Sequence, residues 1–135
     1  MQHVIRSKII LGGVPEQVNI PIRIALERGL FQKWGLDVEY RLVPEGTGKM
    51  LDLLEKGELD VALTVTDGFI AGKSTGRKVK LCGTFVESPL TWGLVGNPHS
   101  KLNISDLCRF GISRKGSGSH TMAFYTAMLY KINSS

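Results

Sequence analysis

The chain has 135 residues, of which 42% are hydrophobic and 21% charged, a composition typical of one globular domain and not of a disordered or fibrous chain. The net charge of +5 comes from Lys and Arg residues that are scattered singly, so no basic stripe predicts a nucleic-acid partner. The N-terminus lacks the features of a secretory signal and no apolar run is long enough to cross a bilayer, which predicts a cytoplasmic protein without membrane insertion and leaves its oligomeric state open.

The first half of the chain alternates strand and helix patterns. Lys8–Leu11 is a short apolar strand, and after a loop Pro21 occupies the first turn of a helix that ends at Gly29. Residues 36–42 alternate between apolar and charged side chains, which is the period of a strand with one polar face near a sheet edge.

A second helix begins at Gly46 or Thr47 and ends at Gly57, and its apolar stripe consists of Met50, Leu51, Leu53 and Leu54. The β-prone run 60–66 predicts a strand that is buried on both faces of a parallel sheet. A short helix is expected over residues 67–74.

The second half continues with β-prone runs at 79–86 and 90–95, a single helical turn at 105–108 and a strand at 110–113. This order of elements predicts an α/β fold with a mainly parallel sheet flanked by helices. Cys82 and Cys108 lie within apolar stretches, in no metal-ligand or redox spacing, and are expected to be buried thiols.

The loop of Gly and Ser residues before the last helix, which carries residues 121–130, has two interpretations. Because a helix N-terminus leaves backbone N–H groups unpaired and carries a partial positive charge, the loop could hold an anion, with the hydroxyls of Ser117 and Ser119 as further donors. Alternatively, Ser119 only caps the helix and Gly116 and Gly118 form the turn.

Several sequence segments together resemble the type 2 periplasmic-binding-protein family. The resemblance is closest to the sulfonate, nitrate and taurine binding proteins and to the thiamine-pyrimidine precursor group, especially an intracellular fungal branch, and it extends over nearly the whole chain. The segments that carry it are Gly12-Gly-Val-Pro-Glu16, Ala25-Leu-Glu-Arg-Gly-Leu-Phe31, Gly35-Leu-Asp-Val-Glu39, Gly46-Thr-Gly48, Leu54-Glu-Lys-Gly-Glu-Leu-Asp-Val-Ala62 and Lys115-Gly-Ser-Gly-Ser-His120.

The resemblance implies two lobes around a ligand cleft. It assigns residues 1–96 to the first lobe, 97–103 to the crossover and 104–135 to the start of a second lobe that is incomplete, so the chain looks truncated. In open α/β sheets ligands bind beyond the carboxyl ends of the strands. The residues expected at the ligand are Val14, Pro15, Thr66, Asp67, Trp92, Lys115, Ser117, Gly118, Ser119 and His120.

The sequence leaves two roles open for Asp67 and two for His120. Asp67 is either a helix cap or an acceptor for a cationic group, and His120 either meets the ligand, as a His does at a similar place in the sulfonate-binding relatives, or faces solvent. Trp92 is expected to stack on a ring, Trp34 to pack within the lobe, and the loop carboxylates Glu16 and Glu45 to be solvated.

These expectations predict a non-catalytic solute-binding protein that holds a small polar or anionic molecule of the sulfonate, carboxylate or aminopyrimidine class and needs no cofactor. An enzyme resembling the thiamine-pyrimidine synthases is the alternative, disfavoured because those proteins carry a Cys-rich iron-binding stretch and the two cysteines here stand apart. A third possibility is a truncated domain without binding activity.

Overall fold

Three parallel strands form the sheet in the part of the chain that the structure describes. The computed structural model describes residues 7–101, 103–106 and 109–132. Strand β1 spans Ser7–Gly13, β2 Leu36–Leu42 and β3 Val61–Ala62, in the order β2-β1-β3. Both pairings of β1 are parallel, and β2 lies at an edge, so the predicted parallel α/β fold and edge strand are confirmed.

Five α-helices accompany the strands in the described part of the chain. They are α1 (Ile20–Glu27), α2 (Leu30–Lys33), α3 (Thr47–Glu55), α4 (Thr66–Ser74) and α5 (Gly118–Leu129), with 3₁₀ turns at Gln17–Asn19 and Ile104–Asp106. Pro21 lies in the first turn of α1, as its fixed φ predicts. The short helix α2 was not expected from the sequence. No helix among the described residues is long and apolar enough to span a membrane.

The hydrophobic core lies where the end of β1 meets α3. Its buried members are Val14, Val43, Met50, Leu53 and Leu59, with Met50 only 1% exposed. The predicted apolar stripe of α3 is therefore confirmed as its buried face.

Four predicted strands are absent or shortened. No strand forms over 79–86, 90–95 or 110–113, and β3 has two residues where residues 60–66 were expected to form a strand buried on both faces. Val61 is instead 39% exposed, because among the described residues β3 pairs with β1 alone and lies at the edge of the sheet. A β-prone run becomes a strand only when a neighbouring strand accepts its backbone hydrogen bonds.

The chain has more surface than a compact protein of its size. Its accessible area is 10572 Å², against about 7,000 Å² for a folded monomer of this mass. Every residue from 80 to 100 is exposed, including Trp92 and Val95. This irregular segment, which contains several large apolar side chains, contributes to that area.

Four smaller expectations, for Trp34, the two cysteines and the turn at 105–108, have different outcomes. Trp34 is 84% exposed and does not pack within the lobe, and Cys82 is an exposed thiol, not a buried one. Cys108 lies outside the described residues. The expected helical turn at 105–108 is found as the 3₁₀ turn Ile104–Asp106, and its last two positions also lie outside the described residues.

Candidate functional site

The first turns of α3 and α4 pack against each other beyond the carboxyl ends of the strands. Helix α3 follows β2, and α4 follows β3. Gly68 in α4 is buried against Thr47 at the start of α3, so closely that a Cβ at position 68 would lie 2.9 Å from Thr47 Cγ2. The first N–H groups of a helix have no intrahelical acceptors, and in neither α3 nor α4 does a capping side chain accept from them.

The start of α5 meets the same region. A Cβ on Gly118 would lie 2.9 Å from Trp92 Cζ2 and 3.8 Å from Asp67 Oδ2, so the glycine is in contact with the indole ring and near the carboxylate. Trp92 is 42% exposed, which leaves ring surface open to solvent. The fold thus brings together three of the residues expected at the ligand, and they come from three separate parts of the sequence.

Arg114 joins this cluster from the turn before α5. Its guanidinium lies against Gly46, where a Cβ would be 2.7 Å from Arg114 Cζ. Gly46 adopts a φ of 86°, a backbone conformation that residues other than glycine rarely adopt. The Nε of Arg114 is buried and has no hydrogen-bond partner.

Ser117 is the N-cap of α5. Its buried Oγ accepts a hydrogen bond from the His120 N–H at 3.3 Å and donates to the Arg114 carbonyl at 2.7 Å. The cap is therefore Ser117, not Ser119, and Asp67 is not a cap either, because Val65 precedes α4 and Asp67 lies inside its first turn. With its hydroxyl used in this way, Ser117 shapes the turn that carries Arg114.

Ser119 and His120 are both half-buried and are tied into the same turn. Ser119 Oγ accepts from the Ser113 N–H at 3.0 Å. His120 Nδ1 accepts from the Gly116 N–H at 3.1 Å, so the ring carries its proton on Nε2 in the neutral form. The two side chains reinforce the loop from within.

The remaining expected residues are Val14, Pro15, Thr66 and Lys115. Val14 and Pro15 line a groove of about 440 Å³ between the end of β1 and the start of α1, together with Arg23 and Tyr40. Burial raises the pKa of the Tyr40 phenol, whose hydroxyl donates to the Val14 carbonyl at 3.4 Å. Thr66 and Lys115 are exposed, at the start of α4 and in the turn before α5.

The sequence analysis missed Arg114 and the roles of Gly46 and Gly68. Arg114 adjoins Lys115 in the loop of Gly and Ser residues before α5, but only the geometry of the turn decides which of the two cations packs inward. The signal for Gly46 and Gly68 is that each glycine lies at or near a helix start that follows a strand. Among the described residues, no three His, Cys, Asp or Glu side chains lie close enough together to hold a metal ion.

Comparison with known proteins agrees with this architecture. Residues 17–106 match the family model described as NMT1/THI5 like. A curated relative from Uromyces fabae, named 4-amino-5-hydroxymethyl-2-methylpyrimidine phosphate synthase, is 27% identical over 86 residues, which are 64% of this chain and 25% of the relative.

A solved structure matches over nearly the whole chain. It is the conserved CA3427 gene product of Candida albicans, described as defining a new family with the generic periplasmic binding protein fold. The TM-score is 0.83 at 32% identity, covering 95% of this chain and 43% of that one. The protein thus has a periplasmic-binding-protein fold, and it spans a quarter of the curated relative and less than half of the solved chain.

Proposed function

Because the chain belongs to the NMT1/THI5-like family, we propose that it is a non-catalytic solute-binding protein that holds a small polar or anionic molecule. The ligand class is a sulfonate, a carboxylate or an aminopyrimidine. The ligand lies between a first lobe, residues 1–96, and residues 104–135, which belong to a second lobe beyond the crossover at 97–103. A fold of the periplasmic-binding type supports a ligand-binding role.

The observation that carries the proposal is the contact of Gly118 with Trp92 beside Asp67. An indole face stacks on a planar ring, a carboxylate accepts from an amino group, and N–H groups at helix starts attract an oxyanion. An aminopyrimidine that bears an acidic group satisfies all three features at once. A sulfonate or a carboxylate uses only the last.

Binding is tested by calorimetry and thermal unfolding with one probe from each class: methanesulfonate, acetate, and 4-amino-5-hydroxymethyl-2-methylpyrimidine as the free alcohol and as its phosphate. A ligand present at a hundred times its Kd stabilises the native state by about 2.7 kcal/mol. We expect the pyrimidine phosphate to raise Tm most. If none of the four raises Tm or releases heat, the chain is a domain without binding activity and the proposal fails.

The Trp92 ring provides a second readout of binding. The chain contains two tryptophans, so Trp34→Phe leaves Trp92 as the sole indole fluorophore. We expect the bound probe to change the emission of the Trp34→Phe variant and to leave that of the Trp92→Phe variant unchanged. The reverse result would move the ligand away from the start of α5.

A pyrimidine-forming enzyme is the second candidate, favoured by the name of the Uromyces fabae relative. The described residues supply no grouped set of metal-binding side chains, and Cys82 is an exposed, free thiol. Mass spectrometry separates the two functions. A binding protein releases its probe unchanged after denaturation, whereas a pyrimidine-forming enzyme, incubated with a cell extract that supplies its precursor, yields a pyrimidine that was not added.

The cellular setting belongs to the same proposal. We propose that the protein is cytoplasmic. We also propose that it binds no nucleic acid, which the scattered placement of its 17 Lys and Arg residues supports. Cell fractionation and retention on heparin test these two statements. Elution from heparin only at high salt would favour a polyanionic partner instead.

A further inference from the structure

We infer that Arg114 is the residue by which the cleft selects an anionic ligand over a neutral one; this inference rests on the proposed function. The side chain is half-buried, and its guanidinium packs on Gly46. This contact joins residues 1–96 of the proposed first lobe to residues 104–135 of the proposed second lobe. Its backbone is held by Ser117, whose N–H and Oγ both donate to the Arg114 carbonyl, at 3.3 and 2.7 Å. Hydrogen bonds to its carbonyl thus hold the backbone of Arg114, and the contact with Gly46 holds its guanidinium.

The guanidinium lacks the partner that a partly buried cation normally has. In the described part of the chain the ion pairs engage Lys8, Arg41 and Arg77, and Arg114 is in none of them. Arg77 shows the contrast, because it is paired with both Asp52 and Glu55. A buried donor of a charged group that stays unbonded is costly, so an acceptor supplied by a ligand is favoured.

The surroundings of Arg114 suit an oxyanion. Gly46 precedes α3 without a side-chain cap, so the first N–H groups of α3 carry partial positive charge close to the guanidinium. A guanidinium offers planar, paired N–H donors that match the oxygens of a phosphate, sulfonate or carboxylate. The shared chemistry of the ligand is therefore a singly or doubly charged oxyanion.

The test compares two probes that differ only in the anion, the pyrimidine alcohol and its phosphate, by calorimetry on the wild type and on Arg114→Gln. We expect the wild type to prefer the phosphate and Arg114→Gln to lose at least tenfold in phosphate affinity, with alcohol affinity unchanged. Arg109→Gln removes one charge from an exposed residue five positions earlier in the sequence and is expected to keep the preference. Methanesulfonate against dimethyl sulfone repeats the comparison for a sulfonate.

Arg114→Lys is a second variant that keeps the charge but loses the paired donors of the guanidinium. We expect its preference for the phosphate over the alcohol to be intermediate between those of the wild type and Arg114→Gln. Circular dichroism checks that each variant is folded. Equal affinity of the wild type for both members of each pair, or a preference that survives in Arg114→Gln, overturns the role of Arg114 while binding itself stands. If no probe binds to the wild type, the proposed function and this inference both fall.

Discussion

The guanidinium of Arg114 occupies the space into which a side chain at Gly46 would extend. A Cβ at position 46 would lie 2.7 Å from Arg114 Cζ, and the φ of 86° at Gly46 is unfavourable for other residues. The loop after β2 therefore packs against the turn before α5, although Gly46 and Arg114 are 68 residues apart in the sequence.

Replacing Gly46 by Ala should both strain the backbone and displace Arg114. We expect a destabilisation of about 1–3 kcal/mol, the usual cost of a left-handed conformation in a residue with a Cβ. Gly48→Ala is the matched control, because Gly48 lies inside α3 with no atom within 4 Å of its added Cβ. That variant should be neutral or more stable by about 1 kcal/mol. Urea unfolding measures both, and equal stabilities would contradict the contact.

Removing the Ser117 hydroxyl should destabilise α5 at its first turn. Ser117→Ala loses the cap on the His120 N–H and the bond to the Arg114 carbonyl, and the expected cost is about 1 kcal/mol. Thermal unfolding should show a lower Tm than for Ser88→Ala, a change at an exposed serine.

In the double variant Ser117→Ala/Ser119→Ala, we expect the affinity for the pyrimidine phosphate to fall about tenfold, or roughly 1.4 kcal/mol.

A larger side chain at Gly118 should displace the Trp92 ring. Gly118→Val places a branched side chain where the indole lies, and we expect altered Trp92 emission in the Trp34→Phe background together with at least a tenfold weaker ligand affinity. Gly83→Val is the control, since nothing lies within 4 Å of a Cβ at that position. Unchanged emission in Gly118→Val would show that the ring does not rest on the helix start.

Amide hydrogens between Val79 and Val95 should exchange rapidly. The described residues from 79 to 95 form no backbone-to-backbone hydrogen bond, and those from 80 on are all exposed, whereas β1 is paired on both sides. Mass-resolved hydrogen exchange should therefore show protection in β1 and almost none in this segment. Strong protection across it, in a cooperative monomer, would mean that these residues pair as the strands that the sequence predicts.

Alkaline pH should weaken the fold through Tyr40. Burial raises the pKa of its phenol above the ordinary value of 10.0, so the folded state favours the neutral form. The stability that this shift contributes is complete below pH 10 and is lost as the pH rises through the folded-state pKa. Urea unfolding between pH 8 and 11 should show a smaller loss in Tyr40→Phe than in the wild type. Tyr130→Phe, at an exposed tyrosine, should match the wild type.

Local sequence patterns were enough to predict part of this protein. The alternation in 36–42, Pro21 at a helix start and the apolar stripe of α3 depend on residues a few positions apart, and each predicted an element that the structure contains. The resemblance of the ordered segments to type 2 periplasmic-binding proteins led to the family and the fold. These features are local or ordered along the chain, so no knowledge of distant contacts was needed.

Tertiary structure alone decided the rest. The runs at 79–86 and 90–95 have strand-forming composition, yet a strand also needs a neighbour that accepts its hydrogen bonds, and none of the described residues supplies one. The same holds for the site: Arg114 and Lys115 are adjacent cations, and only the Ser117 turn and the empty space at Gly46 determine that Arg114 packs inward. Such choices depend on contacts between residues far apart in sequence, which no local pattern encodes.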